Sequence, residues 1–426
     1  MTGTFLLKRI LIVMMLVMCV QLLYAQQDSS SQAANCVQKD ITDLLKKNKN
    51  KNKPRKNSSL ILFPVISSNP STGFAFGAAG QYTWYSKTPT NERLSAVSAN
   101  VLYTTKGQTL LFAKNNIYAL KNKLFLSGDW RLYFFSENTY GLGTNAPEGA
   151  IANNIFGLNG WETSDDSLTQ PLRFNYIKFH QTASYEVADN LFAGIGVHLD
   201  RYYEIKDERL DTANNYYTSH YGYSITNGFN PKKYSSAGLS ANLVYDSRDN
   251  MVNAYKGYFF NANFRYNQQW MGSTKSSTVT WLEYRSFHSL SKTNPRHVLA
   301  FWGIGNFVTG GEVPYLNLPA LGYDQRGRSG RGYAAGRFRG ESLIYLESEY
   351  RFPISPCGGI LGGVIFLNGT TTTNKASDVK LFDYIRAGYG AGIRIMVDKS
   401  TRTNLGIDLG IGQHATGIYL NASETF

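Results

Sequence analysis

The chain has 426 residues, with 43 Lys and Arg against 30 Asp and Glu, and a net charge of +13. Tyr (29), Phe (24) and Gly (40) are abundant and Pro is scarce at 12, and beyond the N-terminal leader no stretch approaches ~18 consecutive apolar residues. That excludes a helical membrane protein; short alternating segments rich in aromatics and glycine point instead to a membrane barrel built of strands.

In chain order, residues 1–25 read as a secretory signal peptide: Lys8 and Arg9, an apolar run over residues 10–20, then Leu23-Tyr24-Ala25 before Gln26. Cys19 lies inside the apolar run with no small-residue lipobox before it, which argues against a lipoprotein. Export also argues against nucleic acid as a partner. Residues 26–59 form a short tail, in which Val37, Ile41, Leu44 and Leu45 have the spacing of one short amphipathic helix. The tail then carries Lys46, Lys47, Lys49, Lys51, Lys53, Arg55 and Lys56 with no acid between them. Such a run is a solvated tail or a contact for anionic lipid headgroups.

From Leu60 onward, alternating runs begin near Leu60, Phe74, Leu94, Thr109, Leu124, Phe174, Leu191, Leu239, Tyr258, Val279, His297, Leu343, Gly359, Ile385, Thr403 and Gly417. Sixteen is an even number, as a closed single-chain bacterial barrel requires. Residues 60–426 are therefore predicted to be an all-β, 16-stranded antiparallel transmembrane barrel preceded by a short periplasmic tail. Placing both termini in the periplasm puts the long connections, 136–171, 206–235 and 309–340, outside and the short turns inside. Pro64 interrupts the first strand. Together with Gly406, Gly410, Gly412 and Gly417 it suggests a poorly hydrogen-bonded seam between the first and last strands. The last strand runs to Phe426, an aromatic end of the kind that barrel-assembly machinery reads as an insertion signal.

The segment before the twelfth strand is rich in Gly and Arg, Gly327-Arg328-Ser329-Gly330-Arg331-Gly332-Tyr333. The twelfth strand places Tyr345, Glu347, Glu349 and Arg351 on one face and Ile344, Leu346, Ser348, Tyr350 and Phe352 on the other. Carboxylates on a lumen face beside a glycine-flanked arginine predict a loop folded inward, its guanidinium held by Glu349 with Glu347 or Asn368 as a second partner. The bland reading is a solvated outer loop touching lipopolysaccharide.

Cys36 in the tail and Cys357 in the turn before the thirteenth strand both map to the oxidising periplasm, which predicts a disulfide across the mouth of the barrel. His180, His198 and Asp200 share a predicted lumen face, as wet lumen residues or, less economically, as metal ligands. No nucleophile stands in a His/acid pattern and no phosphate-binding glycine loop appears, so neither a cofactor nor catalysis is expected.

Four motifs together resemble the outer-membrane assembly and translocation barrels of the BamA/TamA type, also called bacterial surface antigens. Asp246-Ser247-Arg248-Asp249-Asn250 followed by Tyr255-Lys256-Gly257-Tyr258 is similar to that family's aspartate-threonine-arginine-aspartate and lysine-glycine-tyrosine hairpin. Arg331-Gly332-Tyr333 resembles its arginine-glycine-aromatic loop motif, in the position where the family carries it. Glu349-Tyr350-Arg351-Phe352-Pro353 matches the strand after the loop, and Tyr140-Gly141-Leu142-Gly143 an upstream glycine signature. The family usually adds an aspartate on the thirteenth strand, where this chain has Asn368. Relatives also carry periplasmic repeat domains, whereas about 34 residues lie here between the predicted cleavage site and the first strand.

The resemblance implies insertion, assembly or translocation of outer-membrane proteins or lipids. Its implied partners are outer-membrane lipid and lipopolysaccharide, and unfolded outer-membrane proteins or a periplasmic protein. The alternatives are a passive channel, since sixteen strands leave an aqueous lumen, and, far behind, an outer-membrane enzyme.

Overall fold

The computed structural model describes residues 38–41, 43, 57–69, 73–85, 93–146, 170–355, 358–413 and 415–426. Among them are sixteen strands: β1 (Ser58–Asn69), β2 (Gly73–Trp84), β3 (Ser95–Thr104), β4 (Thr109–Ala119), β5 (Leu124–Thr139), β6 (Gln170–Ala188), β7 (Leu191–Asp207) and β8 (Tyr234–Asp246). The second half comprises β9 (Gly257–Asn267), β10 (Ser277–Ser289), β11 (Val298–Gly311), β12 (Ser342–Pro353), β13 (Leu361–Thr372), β14 (Arg386–Asp398), β15 (Thr403–Gly412) and β16 (Ala415–Ala422). Each pairs antiparallel with its neighbours in chain order, and β16 returns to β1 to close the barrel.

Period-2 alternation decides which side chains meet which solvent. Along β12 to β15, Leu346, Ile365, Tyr389, Ile393, Ile407 and Leu409 lie on the outer surface, while Glu347, Asn368, Arg394 and Asp408 are buried in the lumen. No helix among the described residues is long and apolar enough to cross a membrane. Among the described residues the outer apolar surface is made by strands.

The two rims differ. At the rim where β1 begins and β16 ends, here the terminal rim, the connections are short, and residues such as Asn122, Asn190 and Arg402 take positive φ (69°, 65° and 58°) to reverse the chain. At the distal rim the β5–β6, β7–β8 and β11–β12 connections are long, while others, such as 105–108, are short. Strands β5 to β7 run for 16, 19 and 17 residues and rise beyond their neighbours. A short helix, α1 (Ser219–Thr226), capped by the Thr218 hydroxyl, folds back over them. Its Tyr223 joins Leu142, Phe174, Tyr202, Tyr234, Tyr315 and Leu316 in a buried aromatic cluster. β6 therefore starts at Gln170, ahead of the Phe174 predicted from alternation: the extra residues pack under this cap.

Closure is uneven. Among the described residues β1 and β2 pair over twelve residue pairs and β15 and β16 over eight, but β1 and β16 share one, Ser68 with Ile418. That pair sits toward the distal rim, and no further β1–β16 pair occurs among the described residues of the terminal half.

Candidate functional site

The connection between β11 and β12 folds into the barrel and occupies its lumen. It is a hairpin at its base: Leu321 N–H donates to the Phe338 carbonyl (3.0 Å), Gly340 N–H to the Pro319 carbonyl (3.0 Å), and Ala320 bridges Arg339. Arg339 pins this base to the wall. Its guanidinium meets Glu137 of β5 (3.1 Å) and the Tyr315 and Leu316 carbonyls (3.1 and 3.0 Å), all of it buried. The tip turns around Asp324, whose carboxylate accepts the N–H groups of Arg326 (2.8 Å), Arg328 (3.0 Å) and Ser329 (2.8 Å).

Arg331 is the deepest anchor, with 1% of its side chain exposed. Its guanidinium donates to Glu347 (2.6 Å), to Glu349, and to Asp408 of β15 (2.8 Å), and lies 3.5 Å over the Phe366 ring. Glu347 and Glu349 are thus brought to Arg331 together. Asn368 takes a different part from the second guanidinium partner the sequence allowed: its Nδ2 donates to the Arg331 carbonyl (2.9 Å), fixing the backbone. The additional carboxylate comes from Asp408, two strands further round the wall. Nothing local in the sequence singles out Asp408, because partners across three ladders are set by barrel closure rather than by chain order.

Asp408 also ties the site to the end of the chain. Arg394 of β14 meets it at 2.5 Å and reaches Glu424 at 2.7 Å, and Glu424 accepts from Asn404 (2.7 Å). Arg351 donates to Glu349 (2.8 Å) and to the Phe426 main-chain oxygen (3.1 Å). Three arginines and four carboxylates form one buried network, and each charge has an opposite partner, the condition under which buried ions are tolerated. Phe426 is not on the lipid face. After β16, Ser423 takes φ +84° and turns the chain inward, so that Phe426 stacks on Trp302 at 5.2 Å inside the lumen. In the folded state the terminal aromatic is a core residue.

The backbone of the loop comes unusually close to the wall, and glycines permit it. Gly332 sits at φ +107°, and a Cβ there would lie 2.8 Å from the Ile411 carbonyl carbon. A Cβ on Gly410 would lie 2.7 Å from the Gly332 nitrogen, and one on Gly412 would lie 2.6 Å from the Tyr333 ring. Tyr333 completes the seat, its hydroxyl donating to the Ala387 carbonyl (2.6 Å) and accepting from Gln413 N–H (3.0 Å). This corrects the reading of the closing-strand glycines as marks of a weak seam. Gly410 and Gly412 are the floor on which the loop lies, and Gly406 makes room for Arg394.

The second motif braces the terminal rim. Asp246 receives both arms of Arg248 (2.8 and 2.8 Å) and the Tyr118 hydroxyl (2.6 Å), while the Arg248 guanidinium lies 4.4 Å over Phe259. Asn250 turns the hairpin by accepting from Val252 and Asn253 N–H (2.8 and 3.0 Å) and donates across the mouth to the Thr401 carbonyl (3.2 Å). Asp249 accepts from Arg402 (2.6 Å), a second tie to the same turn. Gly257, at φ +106°, passes so close to the Ser247 carbonyl oxygen that a Cβ would lie 2.3 Å from it.

Cys36 and Cys357 lie outside the described residues, as do the predicted signal peptide and most of the basic tail. Their described neighbours meet: Lys39 N–H donates to the Gly358 carbonyl (2.7 Å), and Asp43 pairs with Lys399 (2.7 Å). His180 and His198 stand edge to face at 4.6 Å, but His180 contacts Asp200 (2.8 Å), His198 contacts Ser240 (2.7 Å), and Arg265 occupies Asp200 (2.6 Å). No group of three His, Cys, Asp or Glu side chains placed to hold a metal occurs among the described residues.

No curated protein matches the sequence. Among solved structures, BamA from Haemophilus ducreyi lacking POTRA domains 1–3 aligns over 87% of this chain and 71% of its own, with 14% identity and a TM-score of 0.52. CdiB from Escherichia coli aligns over 87% and 62%, with 11% identity and a TM-score of 0.51. At these identities the likeness is one of fold. The model of the Omp85 superfamily domain matches residues 95–426, well over half of the sequence and inclusive of the loop, its wall and the bracing hairpin. The chain belongs to the Omp85 superfamily, whose barrels are integral to the outer membrane and serve assembly and transport.

Proposed function

We propose that this barrel inserts, assembles or translocates outer-membrane proteins or lipids through its β1–β16 seam, while the Arg331-anchored loop keeps the adjoining β12–β15 wall rigid and the lumen closed to free diffusion. The observation that carries the reading is the single residue pair across the seam. Unpaired strand edges are costly in hydrocarbon, where no water replaces the missing partner. Such an edge is a template for an incoming strand, or a gap toward which lipid can be drawn. A passive porin would need neither a weak seam nor a lumen filled by its own loop.

In this reading the terminal rim faces the periplasm and the long loops face outward. Clients or a periplasmic partner arrive beside the tail, whose basic run contacts anionic lipid. The test joins the seam covalently. A Ser68→Cys, Ile418→Cys pair, oxidised in the membrane, should abolish cross-linking of newly made outer-membrane proteins or lipids to a photoreactive residue at Ile61, and reduction should restore it. Unchanged capture with the seam closed, or large steady conductance of the wild type in planar bilayers, would refute the reading.

A further inference from the structure

The lumen of this barrel holds many buried charges, most of them in ion pairs. Arg131 and Lys178 share Asp129, Arg265 takes Asp200, Arg285 takes Glu283, and Arg331 and Arg339 of the loop take the acids described above. Two cations stand apart. Lys114 on β4 and Arg326 at the loop tip have no ion-pair or hydrogen-bond partner for their charged groups among the described residues. Lys114 lies opposite Asp129 in the β4–β5 ladder, yet that carboxylate is already engaged by Arg131 at 2.8 Å and Lys178 at 2.7 Å. The Asp324 carboxylate near Arg326 is consumed by three main-chain N–H groups.

Both cations line one cavity of about 240 Å³, together with Arg328, which donates to the main-chain oxygen of Glu424 (2.7 Å). No Asp or Glu lines it among the described residues. Two further polar atoms in its wall, Gln81 Nε2 and Ser98 Oγ, are buried without a partner. Converging cations with spare donors and no acceptor are the complement of an oxyanion.

The cavity is also placed at the seam. Phe63 and Val65 from the lumen side of β1 line it, and so do Ile418 and Leu420, which face outward from β16, alongside inward-facing Tyr419. Lining from both faces of one strand puts the space at an open edge of the wall. β1 is apolar on both faces there, with Leu60 and Leu62 outward, which is not how a purely aqueous pocket is walled. We propose that this cavity binds a phosphate-bearing anion, and that its occupant is the headgroup of an anionic phospholipid whose chains leave through the seam. The phosphate sits among Lys114, Arg326 and Arg328, and the acyl chains lie along Phe63, Val65 and Leu420. The inference uses the open seam but not the identity of any client.

The test uses the full chain, delipidated in an uncharged detergent and examined by native mass spectrometry with dihexanoyl phosphatidylglycerol. One lipid per barrel should be retained, and the Lys114→Ala, Arg326→Ala double variant should need at least roughly tenfold more lipid for the same occupancy. The Lys114→Gln, Arg326→Gln pair should behave alike, and Lys232→Ala, an exposed control, should bind as wild type. Folding of every variant is checked by heat-modifiable gel mobility. Dihexanoyl phosphatidylcholine, with no net charge, should bind more weakly. Inorganic phosphate that displaces the lipid at equal concentration would assign the site to the free anion and overturn the lipid. Undiminished binding by both folded double variants would overturn the site itself. Either failure leaves the strand pairing of the seam, and the function proposed from it, standing.

Discussion

The wall from β12 to β15 and the seam between β1 and β16 are neighbours in one barrel, held together by different means. The wall has ladders of eleven, ten and nine residue pairs, and on its inner face a network of three arginines and four carboxylates draws in a loop and the last residues of the chain. The seam has one pair. No carboxylate of that network reaches β1, whose inner face carries the apolar Phe63 and Val65. The contrast shows where the barrel should yield. A load applied from either side should open the seam before it separates β12 from β13. Closure here is a property of one edge and not of the whole cylinder.

The largest effect should come from attacking the wall. Arg331→Ala leaves Glu347, Glu349 and Asp408 facing one another, and removing one partner of a buried ionic cluster costs about 3–5 kcal/mol, less where Arg351 and Arg394 take up the slack. A lower midpoint in urea-induced unfolding and a protease-sensitive loop are expected. Glu349→Ala should cost less, because Arg331 retains two acids, although Arg351 loses its nearest carboxylate. The double variant should fall well short of the sum of the two. Strict additivity would mean that the contact carries no coupling. Next in size, Gly410→Val should lift the loop from its floor, at a cost of about 1–3 kcal/mol, while leaving the strand ladders intact. Limited proteolysis at the loop tip is the readout. An unchanged cleavage pattern would deny the floor its role.

Much of this was legible in the sequence, and the reasons differ by element. The sixteen strands follow from period-2 alternation, a local signal that survives without knowledge of the partner strand. Arg331, Glu347 and Glu349 were readable because the two acids share a strand face two residues apart, close to the arginine in the chain. Asp408 was not, since its approach to Arg331 depends on how far the sheet curls in closing. The glycines of β15 were misread for a related reason: a strand rich in glycine looks weak along its own ladder, and only the loop lying across it reveals a close backbone approach. Phe426 gave no local sign of turning inward, because that turn rests on Ser423 at positive φ and on Arg351 and Trp302, far away in sequence.

The smallest expected effect lies at the terminal rim, where the tail meets the β12–β13 turn through Lys39 and Gly358. A bridge between Cys36 and Cys357 would secure the tail there without changing the barrel. Thiol labelling of the unreduced protein should modify neither cysteine, and labelling of both would rule the bridge out.

The contrast between wall and seam is tested most directly by hydrogen exchange of the full chain in lipid nanodiscs. If the account is right, the seam-facing amides of residues 58–65 should exchange at least roughly a hundredfold faster than those of β12 and β13, reflecting opening energies at the low and high ends of one structure. Equal protection of the two regions would mean that the barrel is closed all round, and would contradict the account.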